Sequence, residues 1–364
     1  MHRRALSRVA ASSRPRLLSR HLLRRMSTAA AEIAERGAAA GLKFYQFSFV
    51  DLFGVQRSKL VPASRVAEIA EGGAGFAGFA AHLDMDPTMG DLLAVPDAAT
   101  LTPLPWQPEV GWLSCNLVHE DTELAHGPRN VLRSVQAKPA VARLAEHGVA
   151  LKTGVECEFF LLDGSAPAAR PALSDPLDVQ AKPWYELIST LVSHMEQLGW
   201  GPYQADHEDA NGPDRDRCGG SSVTADRVVL FKYMVRSLAE RAGLRATFMP
   251  KPFASLTGSG CHAHAGAFST VGTALIRVPD EHRMELRLDT DRSAKPNPPT
   301  HQPTASPPLP SNLAGALEAL DASSPLRSGL GDAFVDSYLK LRRAHWAEYM
   351  AQLTPWELET YLDA

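Results

Sequence analysis

The stretch Gly154-Val155-Glu156-Cys157-Glu158-Phe159-Phe160-Leu161-Leu162 constrains this chain more than any other. Apart from its two carboxylates it is apolar or aromatic, holds no proline and ends at Asp163-Gly164. That is the pattern of a buried strand. Ionised carboxylates inside such a run are costly unless something neutralises them. At i and i+2 on one strand, Glu156 and Glu158 share a face, where they repel each other. A hard cation such as Mg²⁺ or Mn²⁺ takes carboxylate oxygens and resolves the repulsion. A solvated strand face resolves it as well, and Glu-x-Glu alone does not choose between the two.

Two further same-face patterns follow downstream. His262 and His264 stand at i, i+2 within Gly258-Ser259-Gly260-Cys261-His262-Ala263-His264, and Arg283, Glu285 and Arg287 at i, i+2, i+4. Each alone reads equally as a packed pair or a solvated ladder. Together they offer carboxylate and imidazole around divalent ions, with guanidinium groups facing an anionic substrate. Phosphoryl transfer needs that set, because metals and arginines spread the charge on the moving phosphoryl group. Neither G-x-x-x-x-G-K-[ST] nor G-x-G-x-x-G occurs, so a bound nucleotide is expected on neither a P-loop nor a Rossmann turn.

At 364 residues the chain is long enough for two domains. Its net charge of −4 gives no reason to expect a nucleic-acid partner. No run has the apolar length to cross a membrane. Cys115, Cys157, Cys218 and Cys261 are scattered without C-x-x-C, so neither a disulfide framework nor a zinc site is expected. Residues 1–31 hold eight arginines, several serines and no Asp or Glu. That is the composition of an organelle transit peptide, expected to be disordered and cut near Met26-Ser27. The arginine excess points to a mitochondrion ahead of a plastid.

In order along the chain, residues 43–60 read as a hairpin turning near Gly54, and a small β-rich domain spans residues 42–130. Pro128-Arg129-Asn130 opens a helix expected to reach about residue 147. Residues 131–364 alternate strand and helix. Helices are expected at about 181–199, from a Thr224 cap to the Gly243 stop signal, and over 313–353 with a break near Gly329-Gly331. Residues 289–311 are proline-rich and expected to be irregular.

These residues resemble a known family. Gly154 to Phe160, Asp206-His207-Glu208-Asp209-Ala210-Asn211-Gly212, Thr224-Ala225-Asp226-Arg227, Ala246-Thr247-Phe248-Met249-Pro250-Lys251-Pro252-Phe253, Gly258 to His264 and Arg283-Met284-Glu285-Leu286-Arg287 look like the ordered signatures of glutamine synthetase. Among its branches the chain is most similar to the type III-like one, which includes amine-accepting γ-glutamyl ligases. The likeness, with gaps, runs from about residue 42 to the C-terminus and includes Phe49-Val50-Asp51-Leu52-Phe53-Gly54-Val55. It implies an α+β protein, an N-terminal β-grasp domain followed by a catalytic α/β domain. It also implies a homo-oligomeric ring with active sites between subunits. The reaction implied joins ammonia or a small amine to the γ-carboxylate of glutamate, with ATP as cosubstrate, through a γ-glutamyl phosphate. By the same resemblance Glu158 and Glu208 would hold one Mg²⁺ or Mn²⁺, and Glu156, His262 and Glu285 the other. His264, Lys251, Arg277 and Arg283 would face ATP, and Arg287 the transferred phosphoryl group or the substrate. Asp51, reaching into the next subunit, would bind and deprotonate ammonium.

The pattern breaks in three places. After Gly212 the family has another metal-binding glutamate, where this chain has Arg215 within Pro213-Asp214-Arg215-Asp216-Arg217-Cys218. That is a charge reversal, which repels a cation. His264 is followed within a few residues by Ser269-Thr270-Val271-Gly272, where the family carries a long segment with a substrate-binding arginine and a flap glutamate. The proline-rich stretch replaces motifs expected after Arg287. The alternative implied is a catalytically impaired or inactive homologue, or an incomplete gene model, that retains ring assembly or ligand binding.

Overall fold

A computed structural model describes residues 20–139, 149–163, 185–202, 221–253, 258–269, 276–277, 284–286 and 312–362, with isolated positions between them. Helix α1 (Arg20–Ala39) buries Met26, Ala30 and Ile33, the i, i+4, i+7 spacing of one helical face. Residues 20–31, expected to be disordered, are therefore helical, and α1 runs through the expected cleavage point. The α1 helix covers a seven-stranded sheet, built from β1 (Phe44–Val50), β2 (Gln56–Pro62), β3 (Ala74–Phe76), β4 (Leu92–Pro96), β5 (Thr102–Leu104), β6 (Gln107–His119) and β7 (Thr122–Glu123). Its order is β2-β1-β6-β4-β3, with β5 and β7 also on β6. β1 and β6 run parallel, and the other pairs antiparallel.

The sheet is buried on both faces, and the alternation along its central strands assigns each side chain to a core. Tyr45, Phe47, Phe49, Leu113, Cys115 and Leu117 pack under α1 and α2 (Val66–Gly72). Trp112 and Val110 pack on the opposite side, against the helices and strands that follow. The β1–β2 turn forms where expected, with Gly54 at φ +79°, a value glycine adopts without steric cost.

Helix α3 (Pro128–Gln136) starts at the expected proline, Pro139, Val141 and Glu146 are again helical, and the rest of 140–148 lies outside the described residues. Next come β8 (Val149–Cys157), β9 (Phe160–Asp163), α4 (Tyr185–Gln197), α5 (Ser221–Arg241), β10 (Leu244–Thr247), β11 (Cys261–Ser269), β12 (Ile276–Arg277) and β13 (Met284–Leu286). One correction concerns the strand expected over 154–162, which is two strands in two sheets. β8 ends at Cys157 and pairs with β11, whereas β9 pairs with β10. A period-2 pattern carries through the break, so sequence alone cannot reveal a change of partner. A second correction concerns Thr224. Helix α5 begins three residues earlier at Ser221, and Thr224 instead donates its hydroxyl to the Thr153 carbonyl on β8 at 2.8 Å. Cys157, Phe159 and Leu161 share a core with Leu191 and Met195 of α4 and Phe231 and Met234 of α5.

The chain closes with α6 (Leu313–Ala322), α7 (Ser324–Leu330), α8 (Asp332–Met350) and α9 (Pro355–Tyr361). The expected break falls at Gly331, where φ is +90°. A further break comes at Ser323, whose hydroxyl caps α7 by accepting from Leu326 N–H.

Candidate active site

The β8–β11 ladder is antiparallel and unbroken from Cys157↔Cys261 to Val149↔Ser269. It sets Glu156 directly opposite His262, two residues 106 apart in sequence. His262 Nδ1 lies 3.2 Å from Glu156 Oε2, with the carboxylate side chain 15% exposed and the imidazole 30%. With Nδ1–H donating to the carboxylate, Nε2 keeps its lone pair. Metal-ligating histidines are commonly oriented by such a partner.

Glu158 sits just past the end of β8 and is held by Gly260 through two bonds. Its backbone N–H donates to the Gly260 carbonyl at 3.2 Å, and its Oε2 accepts from Gly260 N–H at 2.8 Å. Gly260 is the pivot of the group. A Cβ on this residue would lie 2.9 Å from Glu158 Oε1 and 3.0 Å from His262 Nε2. One carboxylate oxygen and one imidazole nitrogen therefore approach the same point, and only a residue without a side chain fits beneath them. The two glutamates remain on one side, as their spacing predicts, although Glu158 has left the strand.

Carboxylates and an imidazole with a bare nitrogen are the donors that hard or borderline divalent ions take, so the residues present fit such an ion. Among the described residues no three of His, Cys, Asp and Glu form a complete metal set. The other ligands expected from the sequence fall on neighbouring strands or outside the described residues. Glu285 on β13 is the backbone partner of His264 on β11, which puts both expected residues on the same three-strand ladder. Arg277 on β12 is the partner of Phe268 at the far end of β11. For His264, Arg277 and Glu285 the backbone alone is described. Glu208, Arg215, Arg283 and Arg287 lie outside the described residues.

Lys251 is half-buried and donates to the Leu256 carbonyl. Asp51 is buried, 1% exposed, and its carboxylate closes its own turn. Oδ1 accepts from Phe53 and Val55 N–H, both at 2.9 Å, and Oδ2 takes Arg57 Nε at 2.9 Å and Nη2 at 2.8 Å. Asp51 stands at the β1–β2 turn, in a different sheet from the Glu156–His262 rung.

Sequence reasoning gave no role to three residues that the ladder brings forward. Gly260 is one, legible only once β8 and β11 are set in register. The others are Cys157 and Cys261, directly opposed on the next rung with their sulfurs 4.0 Å apart. The hydrogen bond between them, then burial, push the Cys157 thiol far up. The same bond brings Cys261 down to about 6, so Cys261 ionises first.

A family model described as glutamine synthetase, catalytic domain, matches residues 125–289 and 281–361. The glutamine synthetase of Rhizobium meliloti (strain 1021) is 34% identical over 433 positions, covering 89% of this chain and 97% of that protein. The glutamate–methylamine ligase of Methyloversatilis universalis is 27% identical over 436 positions, covering 88% and 96%. A solved structure of apo GmaS without ligand superposes with TM-score 0.76 at 38% identity, covering 91% of this chain and 99% of that one. A GmaS/ADP complex gives 0.74 at 36% over the same shares. The 433 aligned positions exceed the 364 residues of this chain, so it lacks internal segments that its relatives have.

Proposed function

We propose that this chain, which belongs to the glutamine synthetase family, uses ATP to join ammonia or a small amine to the γ-carboxylate of glutamate. The observation that carries this reading is the Glu156–His262 rung with Glu158 locked beside it by Gly260, on a glutamine synthetase-type fold of mixed sheets and helices. The likeness to a glutamate–methylamine ligase supports amines as acceptors besides ammonia.

The γ-carboxylate attacks the terminal phosphorus of ATP, giving γ-glutamyl phosphate and ADP. The amine then attacks the acyl carbon and phosphate leaves. Both steps gather negative charge on phosphoryl oxygens, so the protein acts chiefly by positioning and electrostatics. Divalent ions, when bound, neutralise that charge. Glu158 and Glu208 would hold one, and Glu156, His262 and Glu285 the other. The Glu156 carboxylate sets the His262 tautomer that leaves Nε2 a lone pair. His264, Lys251, Arg277 and Arg283 would bind ATP, and Arg287 would steady the transferred phosphoryl group. Asp51 from a neighbouring copy in a ring would take the amine proton, exchanging its contacts in the 51–55 turn for that role. The acid-free, arginine-rich residues 1–31 support delivery to a mitochondrion.

A second reading is favoured by one observation, the internal segments absent from the alignment. β11 and β12 stand paired, Phe268↔Arg277 and Ser269↔Ile276, where the family carries its long segment. In that reading the protein assembles and binds nucleotide without turnover. Phosphate release from ATP, with glutamate, Mg²⁺ and either ammonium or methylamine, separates the two. Release that requires all components supports ligation, and ADP binding without release supports the second reading. Release indifferent to glutamate overturns both.

A further inference from the structure

We propose that Cys157 and Cys261 form a redox-active dithiol, an oxidative modification site that closes into a cross-strand disulfide on the rung beside Glu156 and His262. The pair is invisible in the sequence, where the two residues lie 104 positions apart, and it exists only through the β8–β11 register. Glu158 N–H donates to the Gly260 carbonyl, the bond that flanks a non-hydrogen-bonded pair at Cys157 and Cys261. At such positions opposed Cα atoms come within about 4.5 Å, inside the range of roughly 4.4–6.8 Å that disulfides accept. The sulfurs are already in contact at 4.0 Å, so closure needs side-chain rotation and little backbone movement.

The surroundings make the pair selective. Cys157 is 4% exposed in the second core, while Cys261 is partly open. Cys115 is fully buried in the other core, on β6 of a different sheet. A low-molecular-weight disulfide such as oxidised glutathione reaches Cys261 first. The Cys261 thiolate displaces one glutathione thiol and forms a mixed disulfide. Cys157 then attacks the Cys261 sulfur and displaces the second. Two protein thiols lose two electrons, and one glutathione disulfide becomes two thiols, which carry the two protons. Side chains alternate along a strand, so the cross-link lies on the face opposite Glu156 and His262. There it fixes the separation of the two strands that carry them.

Peptide mapping of the full-length protein after treatment with oxidised glutathione and alkylation tests this directly, whether or not the chain turns over ATP. The expected result is one peptide pair joined through Cys157 and Cys261, both thiols lost to the alkylating agent and recovered with dithiothreitol, and Cys115 unchanged. In Cys157→Ala, Cys261 should instead retain a glutathione adduct. A stable glutathione adduct on Cys261 of the unmodified sequence, or full alkylation of both thiols after oxidant, would overturn the proposal. Neither reading of the wild-type map depends on the variant folding.

Discussion

Gly260 shows how much of the site rests on one missing side chain. The atoms that a Cβ would strike are the far ends of Glu158 and His262, which can swing aside without moving backbone. Gly260→Ala should therefore leave the fold intact and displace both functional groups. Misplacing metal donors or their supports commonly costs about 10–100-fold in affinity. The expected outcome is a Mn²⁺ affinity at least ~10-fold weaker with a nearly unchanged thermal midpoint; a lowered midpoint with unchanged Mn²⁺ binding would sink the assignment. The two glutamates should differ as well. Glu156 keeps its opposed histidine, whereas the second expected partner of Glu158 is replaced by Arg215. Mn²⁺ titration should show the larger loss for Glu156→Ala, and equal losses for Glu156→Ala and Glu158→Ala would count against this ranking.

At the scale of elements, Arg129 is the junction between the first sheet and the helices behind it. From α3 it reaches Asp226 on α5 (Nε to Oδ1 3.1 Å, Nη2 to Oδ2 3.0 Å), Asp97 after β4 (2.9 Å) and Asn116 on β6 (2.7 Å). Ser114 adds a bond to Asp226 at 2.7 Å. Burial by itself lowers the Arg129 pKa, but the bonds from Asp226 and Asp97 outweigh it and the net shift is upward. Its side chain is 11% exposed and that of Asp226 is 17%, so removing the guanidinium strands a largely desolvated carboxylate. Arg129→Met should lower unfolding free energy by about 3 kcal/mol, read from urea denaturation, and Arg129→Lys should recover little because ammonium cannot fork. A loss near zero would show that solvent screens the network. None of this was legible in Pro128-Arg129-Asn130, because the partners lie 32 and 97 residues away. What was legible followed local rules. The turn at Gly54, the stop at Gly243 and the break at Gly331 all take positive φ, and the alternation of β1 is visible in its own residues. Strand pairing is the opposite case. The 154–162 run looks continuous because its side chains alternate throughout, and only the long-range choice of β11 for one half and β10 for the other divides it. The same register creates the Glu156–His262 and Cys157–Cys261 rungs, so the residue types of the site could be named from sequence but not their pairing.

At the scale of the whole molecule, the C-terminal end is hard to reconcile with an isolated subunit. Helix α9 has seven residues, well below the length at which a helix persists unaided in water. Its local signals are good: Pro355 at the first turn and a capping box between Thr354 and Glu357. Such signals supply only about 1 kcal/mol, and the remainder must come from packing. Yet Leu353 is 75% exposed, Trp356 61% and Leu362 74%, with Tyr361 and Leu358 also open. An apolar cluster of this kind on a short helix marks an interaction surface, and the proposed ring supplies a second copy to cover it. Trp356→Glu combined with Leu362→Glu should then shift the protein to smaller species in analytical ultracentrifugation, with its circular dichroism retained, since no buried residue is altered. Phosphate release should fall with assembly if the sites lie between copies. Unchanged sedimentation of the double variant would remove α9 from the interface, and smaller species with full phosphate release would place each active site within one chain.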